Sequence, residues 1–155
     1  KKNKSGSLDA GWTKGQPINF QYQSIDNTLV GSIFLNNEQE VEKVEFHKAN
    51  LGDYFEGSAI YTVGRNENNL IIKGSKFDYS KSPKHKFAQS ERKLKTQLSI
   101  SKLKIRDGLE LDSFSGSFIL GQTLDGSGEA KLNGGPNVLI HVNANESGRI
   151  FKVSS

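Results

Sequence analysis

Ile18-Asn19-Phe20-Gln21-Tyr22-Gln23 sets an apolar side chain against a polar one at every second position. That is the period of a half-buried β-strand, whose successive side chains point to opposite faces, and not the 3.6-residue period of a helix. The habit recurs along the chain. Val44 and Phe46 alternate with Glu45 and His47; further on come Leu94, Thr96, Leu98 and Ile100, Leu103 with Ile105, and Leu109 with Leu111. Phe114, Gly116, Phe118 and Leu120 continue it, followed by Ala130 with Leu132, then Val138, Ile140 and Val142, then Ile150. The pattern predicts about twelve short strands. Turn-forming runs separate them: Asp26-Asn27, Asn36-Asn37, Arg65-Asn66-Glu67-Asn68-Asn69, Arg106-Asp107-Gly108, Asp125-Gly126-Ser127-Gly128, Asn133-Gly134-Gly135-Pro136 and Asn145-Glu146-Ser147-Gly148.

Connections this short join antiparallel neighbours, whereas a parallel pair needs a crossover of a dozen or more residues. The expectation is an all-β antiparallel meander. Residues 80–93 alone break the rhythm, with Pro83, a cluster of Lys and Ser, and an isolated Phe87. They read as a basic loop or short helix joining two sheet sections. The 155 residues fit one β domain over 1–155. The alternating ending Arg149-Ile150-Phe151-Lys152-Val153-Ser154-Ser155, without turn or polar tail, reads as a cut inside a longer chain.

Apolar residues make up 34%, so the core is thin, yet the strict alternation separates the chain from a disordered polyelectrolyte. Cysteine is absent, which removes disulfides, thiolate chemistry and cysteine-ligated zinc together. No apolar run approaches membrane-span length, and there is no signal-peptide pattern.

Charge is uneven. Residues 73–106 hold eleven Lys or Arg against Asp78 and Glu91, a local net of +9. Such a stretch is read first as a solvated face, and otherwise as a contact for anionic headgroups or an acidic partner. Nucleic acid is not expected, because no RNP-type strand, helix-turn-helix or zinc knuckle accompanies it.

Nothing in the sequence has the form of a catalytic site. His47, His85 and His141 lie far apart without carboxylates at ligand spacing, so no metal site is expected. Ser115-Gly116-Ser117 sits in a strand pattern, where small residues permit close packing. Glu110 and Asp112 share a polar strand face beside Asp107, which suits protection of a sheet edge better than acid-base work. Gly126-Ser127-Gly128 and Asn133-Gly134-Gly135-Pro136 read as turns and lack the strand-then-helix context of a phosphate loop. Two glycosylation sequons, Asn3-Lys4-Ser5 and Asn145-Glu146-Ser147, are too common a triplet to carry weight. Trp12 is expected to anchor the first strand into the core or an interface. Neither catalysis nor a cofactor is expected.

What remains is the alternation. A sheet with one apolar face must bury it, either by folding on itself as a sandwich or barrel, or by curling into a trough that holds lipid chains.

The segment 109–155, with Leu109-Glu110-Leu111-Asp112-Ser113-Phe114-Ser115-Gly116-Ser117-Phe118, Leu124-Asp125-Gly126-Ser127-Gly128-Glu129-Ala130, Asn133-Gly134-Gly135-Pro136 and Gly148-Arg149-Ile150-Phe151-Lys152-Val153, resembles the C-terminal part of AsmA-like envelope proteins of Gram-negative bacteria, the YhdP type included. Residues 51–63 and Leu70-Ile71-Ile72-Lys73-Gly74-Ser75-Lys76-Phe77-Asp78 are similar to that family's repeating strand pairs. The likeness covers about two thirds of the chain; the family's N-terminal membrane helix is absent from it, and the Lys-rich 80–93 stretch is not a family hallmark. The resemblance implies a periplasmic β-section of an inner-membrane-anchored protein. Its trough would shield phospholipid acyl chains travelling between the inner and outer membranes, in support of outer-membrane integrity. The implied partners are those acyl chains, adjacent segments of the same longer chain, and an anionic membrane surface met through residues 73–106. Groove or core side chains would be Phe20, Tyr22, Ile33, Leu35, Val44, Phe46, Leu98, Ile100, Phe118, Leu120, Val138 and Ile140. The competing expectation is a non-catalytic β-sandwich interaction or adhesin module that binds protein or glycan; an accessory domain of an enzyme fits less well.

Overall fold

A computed structural model describes residues 6–83, 92–145 and 148–154. Within them the chain forms one eleven-stranded sheet whose spatial order is the sequence order: β1 (Ser7–Gly11), β2 (Ile18–Gln23), β3 (Asn27–Leu35), β4 (Val41–Leu51), β5 (Phe55–Val63), β6 (Glu67–Asp78), β7 (Lys93–Arg106), β8 (Leu109–Leu120), β9 (Leu124–Leu132), β10 (Asn137–Asn145) and β11 (Gly148–Ser154). The expected all-β meander is present. No second sheet forms among the described residues, and β1 does not pair with β11, so this is neither a sandwich nor a closed barrel.

Several strands are longer than the sequence spacing predicts. The runs 94–100 and 103–105 belong to one 14-residue strand, and 109–111 with 114–120 to one of 12 residues. Asp125-Gly126-Ser127-Gly128 is not a turn: it lies inside β9, and the reversal before it occupies residues 121–123, where the Gly121 amide donates to the Thr123 carbonyl. Asn133-Gly134-Gly135-Pro136 is a turn, with positive φ at Asn133 and Gly134. Trp12 lies just past β1 and is 53% exposed, so it does not anchor the core.

Nine of the ten pairings are antiparallel. The exception is β6 with β7, which run parallel from Glu67↔Lys93 to Asp78↔Lys104. Residues 79–92 are the crossover that a parallel pair demands. The break at 80–93 therefore joins two sheet sections as expected, but in parallel, and Lys93 already belongs to β7. Whether it contains a helix falls on residues 84–91, outside those described. Its start is anchored: the Tyr79 amide donates to the Lys104 carbonyl, and Ser80 donates through amide and hydroxyl to the carboxylate of Asp78.

The surface area identifies the architecture. A globular protein of 17.1 kDa exposes about 7,700 Å² on the usual scaling, and this chain exposes 10842 Å². A single layer leaves that excess. Even so, Ile100 is only 1% exposed and Phe114 3%. Ile100, Phe114 and the other buried apolar side chains belong to one cluster on the sheet's apolar face, with Phe46, Ile72, Leu98 and Phe118 packed against it.

Candidate functional site: an apolar sheet face and its rims

The register places apolar residues in rows across the strands. One row runs Ala10, Phe20, Gly31, Phe46, Ala59, Ile72, Leu98, Gly116, Gly128, Ile140, each paired with the next. Beside it lie Ile18, Ile33, Val44, Tyr61, Leu70, Thr96, Phe118, Gly126 and Val142. On the other flank Tyr22, Leu29, Ala49, Gly57, Gly74, Ile100 and Phe114 form a third row, and Leu51, Phe55, Phe77, Leu103, Leu111 and Leu132 a fourth. None of these positions carries a charge.

Of the groove or core residues expected from sequence, Phe20, Tyr22, Ile33, Val44, Phe46, Leu98, Ile100, Phe118 and Ile140 stand in these rows. Val138 pairs with the buried Ala130, Leu120 with Leu94 and Leu124, and Leu35 with Val41 at the β3–β4 end. All twelve therefore lie on or beside one apolar face. Sequence reading left out Phe55, Ile72, Phe77 and Tyr61. Their strands were noticed only as short stretches, although Phe55 and Tyr61 keep the same period within β5.

Two local devices keep the rows aligned. β8 carries a bulge between Asp112 and Ser115, with Ser113 at φ 54, a region costly for a residue with a Cβ. The bulge changes the phase of alternation, so that Leu111 and Phe114 both turn inward. The second device is glycine on the inner face. A Cβ on Gly128 would stand 2.8 Å from Phe114 Cζ, and one on Gly126 2.5 Å from Phe118 Cδ1. The two phenyl groups, with centroids 6.1 Å apart and nearly parallel, lie across β9 toward β10. Close packing at Gly116 has the same origin, with Phe114 Cζ and the Gly128 Cα as its near neighbours.

The opposite face is mostly polar, although Ile60, Ile71, Ile119 and Leu139 are exposed on it, and its hollows offer little chemistry. One is lined by Asn19, Gln21, Ser32 and His47, the other by Ser58, Lys73, Ser75, Ser99 and Ser101. The Ser32 hydroxyl donates to Asn19 Oδ1 at 2.7 Å; with its proton committed there, it can only accept from His47 Nε2 at 3.3 Å. His47 is thus placed as a donor to Ser32 and not as a base that would activate it. His141 approaches Asp125 at 3.5 Å across the β9–β10 ladder. Among the described residues no group of three or more His, Asp or Glu could hold a metal ion.

The carboxylates of the β7–β8 hairpin face lysines. Glu110 pairs with Lys104 and Asp112 with Lys102 across the ladder, and Lys104 Nζ is 3.0 Å from Asp107. That hydrogen bond, with the charge of Asp107, raises the Lys104 pKa above its ordinary value. Lys81 bonds Asp53 at 2.9 Å, which lowers the aspartate's pKa and raises the lysine's. Asp78 is buried and its pKa is lowered, first by the Ser80 hydroxyl, then by the Ser80 amide and the charges of Lys104 and Lys81, against the desolvation that opposes it.

Among the described residues, the basic middle of the sequence does not form one patch. β7 spans about 43 Å at the usual strand rise, so its two ends lie on opposite rims of the sheet. On one rim Lys76, Lys81, Lys102, Lys104 and Arg106 stand among Asp53, Glu56, Asp78, Asp107, Glu110 and Asp112, and charge balances. On the other, Arg65, Arg92, Lys93 and Lys95 surround Glu67, which Lys95 binds at 3.1 Å. Comparison with known protein families, curated proteins and solved structures found no match to this chain.

Proposed function

We propose that this chain is a section of an AsmA-like, periplasmic envelope protein anchored in the inner membrane. Its apolar sheet face would shelter phospholipid acyl chains in transit between the two membranes, acting as a passive groove without covalent chemistry. One observation carries this reading: the uncharged rows cross a single sheet layer from Ala10 in β1 to Ile140 in β10. At roughly 0.8 kcal/mol per buried CH₂, an acyl chain laid along such a face gains far more than it would in water, while translation along the row changes little. The AsmA-like sequence pattern supports the same reading. An interaction module that binds protein or glycan is the competing class, and the polar hollows around Ser32 and Lys73 are what it would use.

The test is native mass spectrometry for co-purified phospholipid, together with uptake of a fluorescent fatty acid by the parent chain and by Ile33→Asp. The expected result is lipid on the parent and its loss in the variant, which stays folded. A parent chain that neither carries lipid nor takes up the probe overturns the reading.

A further inference from the structure

We propose that the rim formed by Arg65, Arg92, Lys93 and Lys95 is a headgroup site for an anionic phospholipid whose acyl chain lies on the adjoining apolar face. The inference rests on the trough reading and adds to it where the lipid sits and what charge it carries.

Three observations converge. The first is geometric. Glu67 pairs with Lys93, and the Arg92 guanidinium donates to the carbonyl of Gly64 and, at 3.5 Å, to that of Arg65, so the β5–β6 turn and the start of β7 are fastened into one rim. The second is electrostatic. Among the described residues, Arg65, Arg92, Lys93 and Lys95 stand there with Glu67, whereas on the opposite rim Lys76, Lys81, Lys102, Lys104, Arg106 and Lys131 stand among six carboxylates. The turn between β3 and β4, further along the charged rim, carries Glu38 and Glu40, with Glu42 and Lys43 following at the start of β4. The third concerns access. Next to the basic rim the apolar face is half-open at Tyr61, Val63, Leu70 and Leu94, whereas next to the balanced rim Phe55, Leu103 and Leu111 are buried and Leu51, Phe77 and Leu132 half-buried. An amphiphile with a phosphate head and an apolar tail finds a cationic rim and a half-open apolar face together on the β5–β7 side. Phosphate oxygens accept hydrogen bonds from guanidinium and ammonium groups, and a low-dielectric apolar wall strengthens that attraction.

The experiment uses vesicles of zwitterionic phosphatidylcholine with and without phosphatidylglycerol, inorganic phosphate as a competitor, and two double variants. Arg65→Gln with Lys93→Gln removes rim charge without touching the Arg92 bonds. Lys76→Gln with Lys102→Gln removes the same charge from the opposite rim. The expected result is binding to phosphatidylglycerol vesicles that weakens as salt rises and falls about tenfold in the first variant and less than about twofold in the second. Inorganic phosphate at vesicle-equivalent concentration should not displace the vesicles, because the tail contributes most of the affinity. Equal losses in the two variants, or none in the first, overturn the headgroup site. Fluorescent fatty acid uptake separates this from failure of the trough itself: uptake by the parent with an indifferent rim leaves the trough standing, and no uptake removes both.

Discussion

β2 and β10 are each second from an end of the sheet, and their burial differs. Ile18, Phe20 and Tyr22 in β2 are half-buried, whereas Val138, Ile140, Val142 and Ala144 in β10 are all at or below 8% exposure. Strand composition does not explain it, since both present large apolar residues at every second position. The difference lies one and two strands away. In β9 the inward positions facing Val142 and Ile140 are Gly126 and Gly128, and the missing side chains let Phe118 and Phe114 of β8 reach over toward β10. β3 has one such glycine, Gly31, covered by Phe20, while Leu29 and Ile33 stand on either side of it. Glycine next to an aromatic residue thus closes β8–β10; Gly57 and Gly74 pack the same way against the buried Phe55, so the accessible stretch of the N-terminal half is β2 with the neighbouring parts of β3 and β4.

The sharpest way to break this contrast is to place a carboxylate in each half. Ile140→Asp buries an unpaired charge at a sealed position, and the expected outcome is loss of several kcal/mol or complete unfolding in urea. Ile33→Asp lets the carboxylate reach water and should cost about 1 kcal/mol. Similar urea midpoints for the two variants would remove the distinction between halves. A smaller effect follows from truncating the aromatic side chains. Phe114→Ala should cost about 3–5 kcal/mol, because Gly116 and Gly128 cannot fill the space it leaves. Phe46→Ala, whose ring meets Phe20 edge-on at 5.8 Å in the half-open region, should cost about 1–2 kcal/mol.

Much of this was legible in the residues and some was not. Alternation at Ile18–Gln23 or Leu94–Ile100 reports a strand and which side chains share a face. It carries no sign of strand direction, so the parallel β6–β7 pair was invisible apart from the length of the 80–93 stretch. Asp125-Gly126-Ser127-Gly128 has the composition of a turn, and only its register against Phe118 and Ser115 to Ser117 reveals a strand whose glycines receive phenyl rings. Contiguity in sequence also misled for the basic middle, because a 14-residue strand carries neighbouring lysines to opposite rims. The apolar set was recovered because face membership depends on parity alone. The exposure of each member was not, because that depends on what lies two strands away.

The least drastic test concerns acid and the junction between the halves. Asp78 has a lowered pKa in the folded protein, so its contribution is fully present above the ordinary aspartate range near pH 4 and is lost as pH falls through the folded value. Asp78→Asn should therefore lower the urea midpoint at pH 7, and the gap to the parent should narrow as pH falls below the ordinary aspartate range. A constant gap between them across that range would assign the effect to packing and not to charge. Far-ultraviolet circular dichroism of every folded variant should keep a β-dominated spectrum with helix at or below about 10%, as the alternation along the chain requires.

The single parallel joint has a kinetic consequence. Every other neighbour in the sheet can zip from a short turn, but β6 and β7 meet only after a 14-residue connection has closed. By chain entropy that closure costs about 1 kcal/mol more than a four-residue turn, a small burden at equilibrium. In time it separates two hairpin stacks, β1–β6 and β7–β11, that can each grow before they join. Amide hydrogen exchange should then resolve two cooperative units, with β7–β11, which holds most of the buried apolar residues, opening last.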